Sequence, residues 1–338
     1  MSADVLVRPR GRAWRDRVPP RSALVGPVLL VIVVLLPLVE TDVFRLRVLT
    51  VAWLAGILTV GVTITLGYSG LFNMSQGSFY GIGAYTTAIL LVKAHVSFEL
   101  ALLASVSLTS VCGVLLGITA LRVRGDLWAL VSMAFTVALA VVFANWKPVT
   151  NGRDGYAVSF VDVAGIRLDT PIEFYYAALT ALVFSLVVCR RVRSSYLGRA
   201  MIAVRYDEPA ASILGVTPAS AKLLAMGISG ALAGLAGSLL VATTLYITPA
   251  SFDFLPSFNF TLYAIVGGVM SGLGGAAAAA LLTFATEAFR ALTEYRLMIN
   301  GAVLVLAIFW RAGVYEPLFR AVRKSRRWKS AAAVFRRQ

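Results

Sequence analysis

Three polar side chains, Asn73, Ser75 and Gln76, stand among five glycines, Gly67, Gly70, Gly77, Gly81 and Gly83, in a stretch that is otherwise apolar enough for lipid. Amides and hydroxyls of this kind break no bonds unaided. They exchange hydrogen bonds, either with a small polar solute or with main chain that has left the helix. Non-helical backbone is tolerated at membrane depth only where protein or a water-filled cavity supplies its partners. Paired interruptions of this sort point to the central site of a transporter. An echo lies at 266–275, VGGVMSGLGG, where five glycines again break an apolar run. The expected solute path is therefore lined by Asn73, Ser75 and Gln76, with main chain at Gly67, Gly70, Gly81, Gly83, Gly267 and Gly268. The residues alone also allow a second reading, in which the polar groups tie helices together and the glycines let them pack closely.

The elements that position such a site must cross a membrane. Hydrophobic residues make up 59% of the 338 and charged residues only 14%, too few polar side chains to coat a soluble globule of this size. Windows near the roughly 20 apolar residues of a spanning helix recur at 22–39, 46–66, 77–92, 98–121, 127–145, 172–189, 221–245, 258–274, 276–289 and 297–310. The reading is an all-α polytopic integral membrane protein of about ten spans, or eight if the last two windows are half-helices. The run 22–39 has no small-residue cleavage site after it and reads as a retained span rather than a signal peptide.

The net charge of +15 is unevenly placed. The segments 1–21, 122–126, 190–222 and 311–338 hold 23 of the 31 basic residues and six of the 16 acidic ones, and the remaining loops are slightly acidic. Lysine and arginine favour cytoplasmic loops, so both termini are expected in the cytoplasm. Two basic tails, 1–21 and 311–338, then flank a permease-like domain over 22–310, and the tails read as facing anionic lipid rather than nucleic acid. An external loop at 146–171 carries turn signals at Asn151-Gly152 and Asp154-Gly155 and an alternating run, 156–163, that suggests a short hairpin.

The internal loop at 190–220 is denser. Leu197, Met201, Val204, Ala211 and Leu214 recur at helical spacing, Gly198 and Gly215 punctuate the run, and Pro209 interrupts it. Two short helices with a corner at Asp207-Glu208-Pro209 are expected, with Arg199 and Arg205 close to Asp207 and Glu208. Such a unit could dock into a groove on another subunit or lie on the headgroups.

Several chemistries are missing from the sequence. It contains no GxxxxGK[ST] phosphate loop, HExxH or GxSxG. Its single histidine, His95, and its two cysteines, Cys112 and Cys189, form no metal-binding or disulfide pattern. No cofactor is expected. The spans lack a central carboxylate to relay protons, and Glu287 with Arg290 lies near one span's end. A many-spanning chain with neither relay nor nucleotide site most simply draws its energy from a partner.

The residues at 67–85 resemble the signature of permease subunits in branched-chain amino-acid ABC importers, the LivM/LivH type and closer to LivM. Gly67, Gly70, Gln76, Phe79, Gly81, Ile82, Gly83, Ala84 and Tyr85 carry the likeness. The loop at 190–220 is similar to that family's cytoplasmic motif through Gly198, Arg199, Ala200, Ala203, Arg205, Asp207, Glu208, Ala210, Ala211, Leu214, Gly215 and Val216. The stretch 266–275 matches a third block. Leu71, Ser75, Pro209 and the 310–313 ending depart from the pattern, and related permeases carry urea, amides or other amino acids. The resemblance implies a non-catalytic subunit of the bacterial inner membrane that moves solute inward by alternating access. It also implies a second homologous permease, two cytoplasmic ATP-binding subunits and an extracytoplasmic solute-binding protein, with Gly198, Arg199, Arg205, Asp207, Glu208, Ala211, Leu214 and Gly215 in the loop that couples to the ATPase. The rival reading is a stand-alone carrier or channel.

Overall fold

The computed structural model describes residues 42–123, 127–158, 162–163, 166–167 and 170–288, together with Pro37. The windows at 22–39 and 297–310, the two basic tails and Arg290 lie outside the described residues. Eleven helices follow in order among them. They are α1 (Val43–Val62, continued by a π-helical turn Thr63–Tyr68), α2 (Gln76–Lys93), α3 (Phe98–Arg122), α4 (Leu127–Asn145) and the short α5 (Lys147–Thr150). Then come α6 (Pro171–Ser194), α7 (Tyr196–Tyr206), α8 (Glu208–Ile213), α9 (Pro218–Thr244), α10 (Phe254–Gly267) and α11 (Gly272–Ala288).

The protein is an all-α polytopic membrane protein. Among the described residues, five helical stretches are long and apolar enough to span a bilayer: Val43–Tyr68, α3, α4, α6 and α9. Their burial separates two roles. The apolar windows of the first and of α9 are 89% and 78% buried, whereas those of α3, α4 and α6 are 33%, 22% and 33% buried. The first pair forms the core, and the other three turn large apolar side chains such as Leu103, Leu115, Leu130 and Phe184 outward, where lipid tails are as favourable a neighbour as protein.

Small residues set the core spacing. Helix α9 lies against α2 and α3 along much of its length. Ser105 of α3 donates its hydroxyl to both Gly83 O and Gly234 O, each at 3.1 Å, while Thr87 and Ser238 share a 2.7 Å bond. The glycine-rich faces of α2 and α9 thus serve close packing with hydroxyl bridges, a familiar solution in lipid.

Local chemistry fixes the ends. Thr170 and Glu173 form a reciprocal capping box at the start of α6, and Asp207 caps α8 by accepting from Ala210 N at 3.0 Å. Pro209 falls in the first turn of α8, where no donor is lost, so the chain corners at 207 rather than kinking inside a helix. Within 156–163 the alternation does not close on itself. Tyr156–Ala157 pairs antiparallel with Tyr246–Ile247, and Asp162–Val163 pairs with Ile166–Arg167. The partner of the first strand is supplied by Leu245, whose left-handed backbone (φ 56°) ends α9 and turns the chain back. The window at 258–274 is likewise interrupted, since α10 stops at Gly267 and α11 begins at Gly272.

Two ends of the bundle are defined by contacts. At one, Lys93 donates to Pro148 O at 2.8 Å and Tyr246 donates to Asp154 O at 2.9 Å. At the other, Arg193 donates to Met270 O at 3.3 Å and Arg205 to Gly67 O. Because a Cβ at Gly83 would stand 2.7 Å from Gly234 Cα, Gly83→Leu is expected to destabilise the fold by about 1–3 kcal/mol through overpacking. A thermal-unfolding midpoint in detergent equal to that of the unsubstituted chain would contradict this packing role.

Candidate functional site

The first interruption is a re-entry of the main chain into the core. After α1 the π turn closes with Ser69 N on Ile64 O (3.3 Å) and Leu71 N on Thr65 O (3.0 Å), and Gly70 takes a left-handed backbone, φ 74°. The non-helical run 69–75 then leads to α2, which begins at Gln76. The side chain of Gln76 meets Ser229, about 16 Å along α9 from its start at 1.5 Å per residue. Ser229 thus lies near the middle of α9, which runs Pro218–Thr244.

Each polar atom along this run has to find a partner, and most partners are hydroxyls. Met74 N donates to Ser132 Oγ at 3.0 Å and Met74 O accepts from Thr136 Oγ1 at 2.9 Å. Asn73 Oδ1 accepts from Ser75 N (3.1 Å) and Ser75 Oγ (2.6 Å), which turns the chain into α2. Gln76 is held twice, accepting from Ser229 Oγ at 2.8 Å and donating to Ser229 O at 3.3 Å. Gly77 N donates to Ser257 Oγ at 2.8 Å, so the N-terminal turns of α2 and α10 meet. Asn73, Ser75 and Gln76 are all fully buried. Two polar atoms in this cluster, Asn73 Nδ2 and Ser78 Oγ, are buried without a partner.

The second interruption faces the first. α10 ends at Gly267, Gly268 adopts φ 112°, and Ser271 caps α11 by accepting from Gly274 N at 3.0 Å. Gly67 lies directly against Val269 O, with no room for a Cβ. The two glycine breaks are therefore apposed at one end of the bundle, and each gives a carbonyl to an arginine of the 190–220 loop: Gly67 O to Arg205 and Met270 O to Arg193.

The remaining expected residues fall as follows. Gly81 is packed under Phe143 and Phe252, Gly83 against Gly234, and Gly267 against Gly274. In the loop, Arg199 donates to Ser194 O at 2.7 Å, Asp207 caps α8, and Glu208 pairs with Lys222 at 2.8 Å. The two arginines and two carboxylates do not pair with one another, because the corner at Pro209 carries Glu208 toward α9 while Arg205 turns inward to the break. Gly198 packs on Val192 O, Ala211 is buried, Leu214 is exposed and Gly215 takes φ 82°.

Ser78, Ser132, Thr136, Ser229 and Ser257 belong to the same cluster and were missed from the sequence. Their only signal is the i, i+4 spacing of Ser132 with Thr136 on α4 and of Ser257 with Thr261 on α10. Hydroxyls at such spacing in apolar helices commonly bond their own backbone, as Thr136 also does to Ser132 O.

An apolar helical bundle in which two glycine breaks meet, one leading the main chain into the core on hydroxyl partners, is the architecture of a membrane permease. The family model described as "Branched-chain amino acid transport system / permease component" matches residues 44–308, and the chain belongs to that family. It is 33% identical over 78% of its length, and over 68% of the relative's, to the high-affinity branched-chain amino acid transport system permease protein LivM of Escherichia coli (strain K12). To the corresponding LivH of Salmonella typhimurium it is 23% identical over 75% of its length and 87% of the relative's. The ribose import permease protein RbsC of Haemophilus influenzae is also 23% identical, over 83% of this chain and 90% of that one. No solved structure matches.

Gln76→Ala removes both bonds to Ser229 and leaves that hydroxyl inside the core. The expected loss is about 1 kcal/mol, the scale of interhelical hydrogen bonds in membranes, with Gln76→Glu restoring part of it. Denaturant titration of the purified chain checks this, and equal stability of Gln76→Ala and the unsubstituted chain would contradict it.

Proposed function

We propose that this chain is one of two permease subunits of an ABC importer in a bacterial inner membrane and that it moves branched-chain amino acids inward by alternating access. Two cytoplasmic subunits hydrolyse the ATP, and an extracytoplasmic binding protein delivers the solute. The observation that carries the reading is the join between the 190–220 loop and the buried crossing. On one side the loop presents Tyr206, Ile213 and Leu214 to solvent at 76%, 87% and 82% exposure. On the other, Arg205 reaches Gly67 O and Arg193 reaches Met270 O. An apolar docking face joined by two short polar contacts to two glycine breaks can pass a push from outside the bundle to its centre.

The end that carries Arg190, Arg191, Arg193, Arg199, Arg205 and Lys222 is cytoplasmic in this reading, as the lysine and arginine bias requires. The Tyr156–Tyr246 end is then external, and 1–21 and 311–338 are cytoplasmic tails around the domain at 22–310. The branched-chain assignment rests on the name of LivM, at 33% identity, whereas RbsC, a ribose permease by name, is at 23% no nearer than LivH. Asn73, Ser75 and Gln76, with Gly67, Gly70, Gly267 and Gly268, form the inner part of the path, and Gly81 and Gly83 lie along it farther toward the external end of α2.

Ile213→Asp with Leu214→Asp places two charges on the docking face without touching the core. Co-purification of the ATPase subunits is expected to fall at least tenfold, and retained co-purification with full stimulated hydrolysis would refute the docking role. Arg205→Ala is expected to leave docking intact but to lower uptake per ATP hydrolysed at least fivefold, because the loop no longer holds Gly67. An unchanged ratio of uptake to hydrolysis in proteoliposomes would contradict that link.

A further inference from the structure

A cavity of about 260 Å³ opens between α1, α2, α9, α10 and α11, away from the residues that the sequence singled out. Its mouth carries Thr244, Tyr246 and Ser251, all exposed, and lies beside the β1–β4 pair, at the end opposite Arg205 and Arg193. Its floor is made by Leu58, Tyr80, Phe260 and Tyr263, each no more than 8% exposed. Tyr80 stacks edge-on against Phe252 and Phe260, at ring separations of 5.4 and 6.2 Å. Tyr80 stands one helical turn, about 6 Å, beyond Gln76. The aromatic floor therefore separates the cavity from the buried crossing at Asn73 and Ser75.

The lining defines a chemical class. Among the described residues it contains hydroxyls and the amide of Asn259 but no charged side chain. An ion without a countercharge in such a place would cost several kcal/mol, so the ligand is net-neutral. Thr244 and Tyr246 already donate their hydroxyl protons to backbone carbonyls and keep oxygen lone pairs for an ammonium, while Tyr80, Ser251 and Thr283 carry hydroxyls that can donate to a carboxylate. Val51, Ala55, Leu58 and Leu240 present aliphatic surface to the same space. The volume lies below the roughly 300–1,000 Å³ of pockets for drug-sized ligands, which suits a small solute.

We propose that this cavity is the outer solute station of the permease. It takes a small, net-neutral solute with a short branched aliphatic side chain, whose size is read by Ala55 and Leu58 before it passes Tyr80. The proposal rests on the reading of the chain as a branched-chain amino-acid permease. Ala55→Leu narrows the cavity and Leu58→Ala deepens it, so the two variants move a size preference in opposite directions, which a loss of fold does not do.

The test uses the complete transporter in proteoliposomes, with the binding protein saturated by leucine or by valine. Initial uptake is measured for each amino acid. The expected leucine-to-valine uptake ratio falls at least threefold in Ala55→Leu and rises at least twofold in Leu58→Ala, while Asn259→Leu lowers both uptakes at least fivefold. If Ala55→Leu fails to assemble with the ATPase, the Leu58→Ala ratio alone decides. An unchanged ratio in an assembled complex, as expected of a groove that holds only a lipid chain, would overturn the proposal. Failure of the unsubstituted complex to take up either amino acid would instead overturn the solute reading, and the proposal with it.

Discussion

Backbone that leaves the helix inside an apolar bundle must have its donors and acceptors met by protein, and in this chain the stretch from Ser69 to Ser75 imposes that demand on everything around it. Where that stretch is buried, each unmet group costs several kcal/mol. Ser132 and Thr136 of α4 hold Met74 from one side, Asn73 folds onto Ser75, and Ser257 of α10 receives the first free donor of α2. The positions of α4, α9 and α10 are thus set by the same few hydroxyls. The small residues that let these helices approach follow from that need.

The arrangement also explains where motion can enter. Helices α2, α3 and α9 are locked by close glycine contacts and the Ser105 and Thr87 bridges. The apposed breaks at Gly67 and Val269 are held by single bonds from Arg205 and Arg193 instead. In the proposed coupling, a push on the exposed face of α7 and α8 meets the capped corner at Asp207 first and these polar contacts next. The weakest links between the loop and the core therefore lie at the two places where the main chain already departs from helix. Beyond them the polar crossing, the aromatic floor at Tyr80 and the outer cavity follow in order along the bundle.

Legibility in the sequence tracked how local each signal was. The breaks at 67–75 and 266–275 were visible because glycine and amide residues stand out in apolar surroundings. The corner at Asp207-Glu208-Pro209 was visible because capping and proline geometry act within one turn. The pairing of Glu208 with Lys222, and the turn of Arg205 toward Gly67, were not visible, since both depend on where α8 and α9 lie after the corner. The strand at Tyr156 paired with Tyr246–Ile247 for a similar reason. Alternation specifies that a segment can be a strand but not which distant edge completes it.

The sequence by itself determined the class of solvent, the all-helical fold and the two interrupted segments, because each of these follows from composition or from the conformational freedom of neighbouring residues. Only the tertiary structure decided that the breaks face each other, and that Gln76 spends both amide groups on Ser229. It also decided that Asn73 Nδ2 and Ser78 Oγ remain without partners, and that a cavity lined, among the described residues, by uncharged side chains lies beside Tyr80. Hydrogen bonds of a few ångströms between residues as far apart as 76 and 229 are fixed by packing over the whole bundle, and no local pattern records them.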